Sequence, residues 1–298
     1  MTAHPLPSTA LDKVWGSPET EPWYPRTGRK IGEVWFHAPE EPRLLVKFLF
    51  TSESLSVQVH PPDTPAASGK TEMWHVLRAA PGARLALGFE HPLDEARARE
   101  AALSGEIERL LRWYTPRPGD TYFVPAGTVH AIGPGLALCE IQQYSDTTYR
   151  LYDYGRPREL HLDAALAVAK LDVYPGPTAP VDLEPGRRLL AECPYFRTEL
   201  LLCGAGNPAC SRPSAKRGAH FRATTEKSYP QDKGGAGRPV LRGSSSSGPE
   251  LLICIEGQGH FDTTPFTPGQ VWIVPAGEGV TIHAVQPARF LRTFVPPS

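Results

Sequence analysis

The sequence predicts an all-β chain with a few short helices, built from two related units. Polar and apolar residues alternate through Leu55–His60. On a strand this puts Ser56, Gln58 and His60 on one face and Leu55, Val57 and Val59 on the other. The 33 prolines among 298 residues favour short strands and turns over long helices. Finally, "PGQVWIVPAG" at 268–277 echoes "PGDTYFVPAG" at 118–127, an internal repeat of turn, apolar strand and turn.

Composition narrows the function classes. A length of 298 residues suits two domains or one large one, and 40% hydrophobic content is enough for a sizeable core. The formal net charge of −1 gives no global attraction to nucleic acid or to an anionic membrane, so a phosphate on any ligand must be met by a local cationic cluster. The cysteines Cys139, Cys193, Cys203, Cys210 and Cys254 are odd in number and lack C-x-x-C spacing, which reads as free thiols in a reducing compartment. Met1–Lys13 lacks a basic stretch followed by an apolar core. No apolar run approaches the roughly 20 residues that span a bilayer. A soluble, cytoplasmic protein is expected.

In chain order, residues 1–30 read as an extended arm, with Trp15 and, just beyond it, Trp35 as packing anchors. Leu44–Phe50 is a strand in which Lys47 is either a snorkelling residue at a rim or a cation pointing into a pocket. Pro61 and Pro62 end the strand through His60. A further strand follows Gly69-Lys70-Thr71-Glu72. Pro92–Tyr114 reads as helical, capped by Asp94, divided at Ser104-Gly105, and striped by Leu103, Ile107, Leu110 and Leu111. Gly119–His130 is a turn, an apolar strand, a Pro-x-Gly turn and a histidine. Glu140–Gln143 and Tyr149–Tyr152 are strands around a turn at Ser145–Thr148, and Leu160–Leu171 is a short helix. Residues 172–192 are linker-like, Phe196–Cys203 opens a second β unit, and 204–249 is a Gly- and Ser-rich mobile loop. Strands return in Glu250–Phe261 and Thr267–Ala284.

Gln58, His60, Glu72 and His130 together make a nitrogen and oxygen ligand set suited to zinc, manganese or iron(II). The pattern G-x5-P-x-G-x2-H at Gly119, Pro125, Gly127 and His130 resembles the second motif of the cupin barrel, with Gln58 replacing the first histidine of the first motif. "LSVQVHP", "GKTEMW", "VPAGTVHAIG" and "EIQQYSDTTYRLYDYGR" resemble type I mannose-6-phosphate isomerases of the short bacterial form, densely from about Ile31 to Leu171. The resemblance implies two cupin-like (jelly-roll) barrel units. Residues 1–171 would be an arm plus the metal-binding unit with its helical insertion, and 172–298 a second unit in which His283 lacks partner ligands and no metal is held. It implies that the arm pairs with the second unit.

The implied activity is isomerisation of mannose 6-phosphate and fructose 6-phosphate through an enediol. One Zn2+ per chain, or another divalent metal, would be held by Gln58, His60, Glu72 and His130. Lys70 and Arg150 would be catalytic, and Lys47 would bind substrate. The partner is then a small sugar phosphate, with no nucleic acid or membrane, and the chain a monomer or small homo-oligomer. The rival readings are another cupin metalloenzyme acting on a different sugar phosphate, and a non-catalytic sugar-binding cupin.

Overall fold

The computed structural model describes residues 2–204 and 248–297. The chain begins with β1 (His4–Pro5), β2 (Ser8–Ser17), β3 (Ile31–His37), β4 (Leu44–Phe50), β5 (Val57–Val59), β6 (Glu72–Ala79) and β7 (Leu85–Phe89). Helices α1 (Glu95–Ser104) and α2 (Ile107–Leu110) follow, then β8 (Leu111–Tyr114), β9 (Thr121–Val124), β10 (His130–Ile132), β11 (Leu136–Gln143), β12 (Tyr149–Tyr152) and α3 (Leu162–Val168). The rest is strand: β13 (Val181–Glu184), β14 (Arg187–Glu192), β15 (Arg197–Cys203), β16 (Glu250–Glu256), β17 (Gly259–Phe261), β18 (Thr264–Phe266), β19 (Val271–Val274), β20 (Ile282–Ala284) and β21 (Ala288–Phe294).

The expected all-β architecture with few short helices is present, although the sheets are open rather than closed into barrels. A six-stranded sheet, β2-β3-β4-β11-β6-β9, lies between a five-stranded sheet, β12-β5-β10-β7-β8, and a seven-stranded one, β1-β19-β16-β21-β15-β14-β13. Both faces of the six-stranded sheet are therefore buried. One face sends Val46, Phe48, Phe50 and Ile141 against Leu190, Ile253, Ile273 and Leu291 of the seven-stranded sheet. The other sends Leu49, Trp74 and Leu138 against Leu85, Leu87 and Ile132 of the five-stranded sheet. Strand parity in β4 follows from this: its even residues belong to the first core, and Lys47 shares the second face with Leu49. Each such Phe or Leu contributes about 1.5–3 kcal/mol by burial. The helices cover the far side of the five-stranded sheet through Ala98, Ala101, Ala102, Ile107 and Ala165.

The arm reaches both halves: β1 pairs with β19, and β2 with β3. Asp94 caps α1 by accepting the Arg97 N–H at 2.7 Å, and Gly105 closes it at φ 78 in the left-handed region. Four expectations need correction. The helical stretch stops at Leu110, and Leu111–Tyr114 pairs with β7 as a strand. Leu103 is exposed, and Ala98, Ala101 and Ala102 form the buried face of α1. Residues 172–192 contain β13 and β14, which the seven-stranded sheet recruits by pairing with β15. Cys203 is disulfide-bonded, so the free-thiol reading holds for Cys139, Cys193 and Cys254. The expected mobile loop at 204–249 lies almost wholly outside the described residues.

Candidate metal centre

Register assembles the site from two facing rows. On the six-stranded sheet, Lys47 of β4 stands opposite Glu140 of β11, which stands opposite Trp74 of β6. The next inward row places Gln142 opposite Glu72. On the five-stranded sheet, Arg150 of β12 is opposite Gln58 of β5, which is opposite His130 of β10. His60 follows β5 and keeps the same parity as Gln58.

His60, Glu72 and His130 converge. The His60 Nε2 lies 3.7 Å from Glu72 Oε2, His130 Nε2 lies 3.7 Å from Glu72 Oε1, and the potential ligand atoms all fall within 4.8 Å of one another. Each imidazole donates its Nδ1–H to a backbone carbonyl, His60 to Thr147 at 2.8 Å and His130 to Thr128 at 2.9 Å. This fixes the tautomer and turns both Nε2 lone pairs inward, the arrangement that supports metal-ligating histidines. Burial, reinforced by the Lys70 charge, holds His60 well below its ordinary value, and burial lowers His130 to about 4. Both rings are thus neutral, as ligation requires. The buried Glu72 Oε1 has no hydrogen-bond partner, the mark of a missing acceptor-seeking group. Gln58 Nε2 lies 3.2 Å from His130 Nε2, and a half-turn of the amide presents its oxygen there. The donor set fits one divalent cation.

Charged side chains crowd the cluster. Lys70 Nζ lies 2.5 Å from Glu72 Oε2, 3.0 Å from His60 Nε2 and 3.5 Å from Glu140 Oε1. Burial pulls Lys70 down, but Glu140 and Glu72 outweigh it and raise its pKa. Burial, then the Glu140 charge, pushes Glu72 up to about 7. Lys47, buried 3.3 Å from Glu140 and stacked 4.4 Å over the Trp35 ring, is lowered by desolvation. A lysine can act as a base only where its pKa is depressed; that environment occurs at Lys47, whereas Lys70 stands between two carboxylates. Lys47 faces inward, so the rim alternative does not apply.

Gln58, Lys47, Lys70 and Arg150 all line a cavity of about 280 Å3. Glu140, Glu33, Arg158 and His161 line it too and were not singled out from sequence. For Glu140 the available signal was its place opposite Lys47 in an adjacent strand. Trp15 and Trp35, read as packing anchors, are also cavity walls. His283 is exposed on β20 opposite His260, away from this site.

The fold and the cluster define a β-sheet protein with a candidate divalent-metal centre beside a charged cavity. No family model matches the chain. Among curated proteins it is similar to a probable mannose-6-phosphate isomerase, GmuF of Bacillus subtilis, 39% identical over 48% of this chain and 52% of that protein. It is also similar to mannose-6-phosphate isomerase ManA of the same organism, 42% identical over 44% of this chain and 45% of the relative. The chain thus spans about half the length of these curated relatives. Among solved structures, a Bacillus subtilis mannose 6-phosphate isomerase superposes with a TM-score of 0.76 over 99% of this chain and 100% of that one, at 22% identity. A zinc-bound mannose 6-phosphate isomerase gives 0.70 over 100% of both chains at 14% identity. The resemblance carried by the motifs is borne out: the similar proteins are mannose-6-phosphate isomerases, and the fold is theirs.

Proposed function

We propose that this chain is a metal-dependent aldose–ketose isomerase that interconverts mannose 6-phosphate and fructose 6-phosphate. The observation that carries the reading is a His60–Glu72–His130 cluster in contact with Lys70, which lines a cavity together with Gln58, Lys47 and Arg150. The isomerase names of the similar proteins point the same way. One zinc per chain would be held by Gln58, His60, Glu72 and His130, and a zinc-bound structure among the similar proteins favours that metal. The ion would supply positive charge for the sugar oxygens.

The chemistry removes a proton from C2 of the aldose and returns it to C1, while hydroxyl and carbonyl exchange places. Negative charge develops on the enediol oxygens. Arg150, permanently cationic, faces that charge. Lys70, kept protonated by Glu140 and Glu72, gives a proton to the C1 carbonyl oxygen and recovers one from the C2 hydroxyl as that oxygen becomes the ketose carbonyl. The single lone pair of His60 Nε2 would serve either Lys70 or a metal, and Lys70 has Glu72 and Glu140 as further partners. Lys47 binds the sugar. Residues 1–171 form the arm and catalytic unit, and 172–298 a second unit without metal. The reading makes the chain a soluble cytoplasmic enzyme.

A coupled assay of mannose 6-phosphate isomerisation, before and after chelation and zinc restoration, tests it. Turnover should vanish with chelator and return with zinc. Chelator-insensitive turnover, or none with zinc-loaded protein, overturns the proposal.

A further inference from the structure

The cavity is lined by several cations, and they differ in how their donors are used. Lys13, Lys47 and Lys70 each meet a carboxylate: Glu33 at 2.9 Å, Glu140 at 3.3 Å and Glu72 at 2.5 Å. Arg158 differs. Its Nε and Nη2 donate to Asp153 Oδ2 and Oδ1, both at 2.6 Å. Asp153 is buried, with 2% of its surface exposed, so this fork fixes the guanidinium plane rather than merely neutralising it. The Nη1 edge makes no hydrogen bond among the described residues, and Arg158 lines the cavity while half-buried. Arg156 helps to hold Asp153, with Nε 3.6 Å from Oδ1.

Three residues on, His161 lines the same cavity. Its Nδ1 accepts the Arg150 N–H at 3.2 Å, and its own N–H donates to the Arg150 carbonyl at 2.8 Å. With Nδ1 an acceptor, the ring hydrogen resides on Nε2, which is a donor. The 153–161 loop is thereby locked to β12. A planar fork with one free edge and a neighbouring N–H, both partly open to water, suit an anion with several acceptor oxygens that stays partly hydrated.

We infer that Arg158, set in place by Asp153, and the His161 Nε2–H hold the phosphate group of a sugar-phosphate ligand at the mouth of the cavity. Arg158 and His161 are binding residues here, and Asp153 is a positioning residue. The identity of the ester rests on the isomerase reading; the phosphate site does not. Arg150 is left to face the reacting carbons. The arrangement also explains why a chain of net charge −1 can take an anionic substrate: the needed cation is local.

The test uses the full, zinc-loaded chain and inorganic phosphate as the calorimetric probe, beside steady-state kinetics. Arg158→Gln should weaken phosphate binding by about 10- to 100-fold, the range for loss of a charged hydrogen-bond pair. KM for mannose 6-phosphate should rise by a similar factor while kcat changes less than about threefold, since the reacting carbons are untouched. Asp153→Asn should give a smaller rise in KM, of the same kind, with metal content unchanged. Should Arg158→Gln fail to fold, Arg158→Lys, which keeps a cation beside Asp153, and His161→Ala take its place. Wild-type phosphate affinity in the folded variants overturns the inference. Arg158-dependent phosphate binding in a chain that isomerises nothing overturns the isomerase reading and leaves the phosphate site standing.

Discussion

Both halves of the molecule bury clusters of opposite charges, and they treat them differently. In the seven-stranded sheet, Glu199 accepts from Arg187 at 2.8 Å, Arg197 at 2.9 Å and Arg292 at 3.0 Å. Arg292 also forks onto Glu250 with two bonds of 2.7 Å. In the half that holds the candidate metal centre, Lys47, Lys70, Glu72 and Glu140 are as deeply buried, yet Glu72 Oε1, Gln142 Oε1 and Arg150 Nε lack partners. Among the described residues, the buried side-chain atoms without partners fall between Glu72 and Arg156. A native interior rarely tolerates such atoms, because each costs about 1–3 kcal/mol in lost solvation. A charge network with its bonds made is architecture; the unmet Glu72 and Arg150 groups mark the side where a ligand is proposed to bind.

The largest expected effect breaks the half with the candidate metal centre at His60 and His130. The His60→Ala/His130→Ala variant should lose its metal, as read by elemental analysis, and turnover should fall by at least about 10³, the rate equivalent of several kcal/mol of charge stabilisation. Metal content equal to wild type would remove the metal centre from the comparison. Next comes Arg150→Lys. It keeps a cation but loses the planar fork, so kcat should drop on the order of 10²–10³ with metal unchanged and KM altered less. Near-normal turnover in the folded, loaded variant would make Arg150 a structural strand arginine.

Much of this contrast was legible in the chain. The β4 strand and the Asp94 cap follow from period and spacing, which are local properties, and the four proposed ligands from motifs that resemble those of the isomerases. Glu140, Arg158 and His161 were not legible as site residues, since nothing local marks them. Glu140 matters because antiparallel register sets it beside Lys47, and Arg158 because a buried Asp153 aims it. The arginine network escaped for the same reason: Arg187, Glu199, Glu250 and Arg292 come from strands far apart in sequence. The strands in 172–192 were missed because their exposed, charged residues look like a linker until β15 offers its edge. Trp15 and Trp35 show the converse limit, since an aromatic anchor and an aromatic cavity wall carry the same local signal.

Breaking the second network should change stability and leave chemistry alone. Glu199→Ala leaves Arg187 and Arg292 buried without their shared acceptor, at a cost of about 3–5 kcal/mol in denaturant melts. Metal content and kcat below the transition should match wild type. Burial pushes Glu199 up, but Arg292 and Arg187 outweigh it and hold its pKa below the reference value of 4.5. Its contribution is therefore complete above about that pH and is lost as pH falls through the depressed folded value. The acid limb of the stability profile should accordingly be shallower in Glu199→Ala. A variant as stable as wild type, with an unchanged acid limb, would mean the network is not what holds that sheet.

The smallest effect is expected at His283, where the internal repeat invites the opposite guess. After "VPAG" the first unit reaches its histidine three residues past Gly127, whereas the second reaches His283 six residues past Gly277. The longer turn changes strand parity. His130 opens β10 with its ring buried, but in β20 the inward position goes to Ile282, which is fully buried, and His283 faces solvent. Among the described residues no glutamate stands to it as Glu72 stands to His130; its cross-strand partner is the likewise exposed His260. An exposed residue outside any bonded cluster changes stability by no more than about 0.5 kcal/mol when replaced. His283→Ala should therefore keep wild-type zinc stoichiometry, kcat and melting midpoint. A folded His283→Ala protein that has lost metal would show that the second unit shares in the site, and the division between an architectural and a ligand-seeking charge cluster would fail.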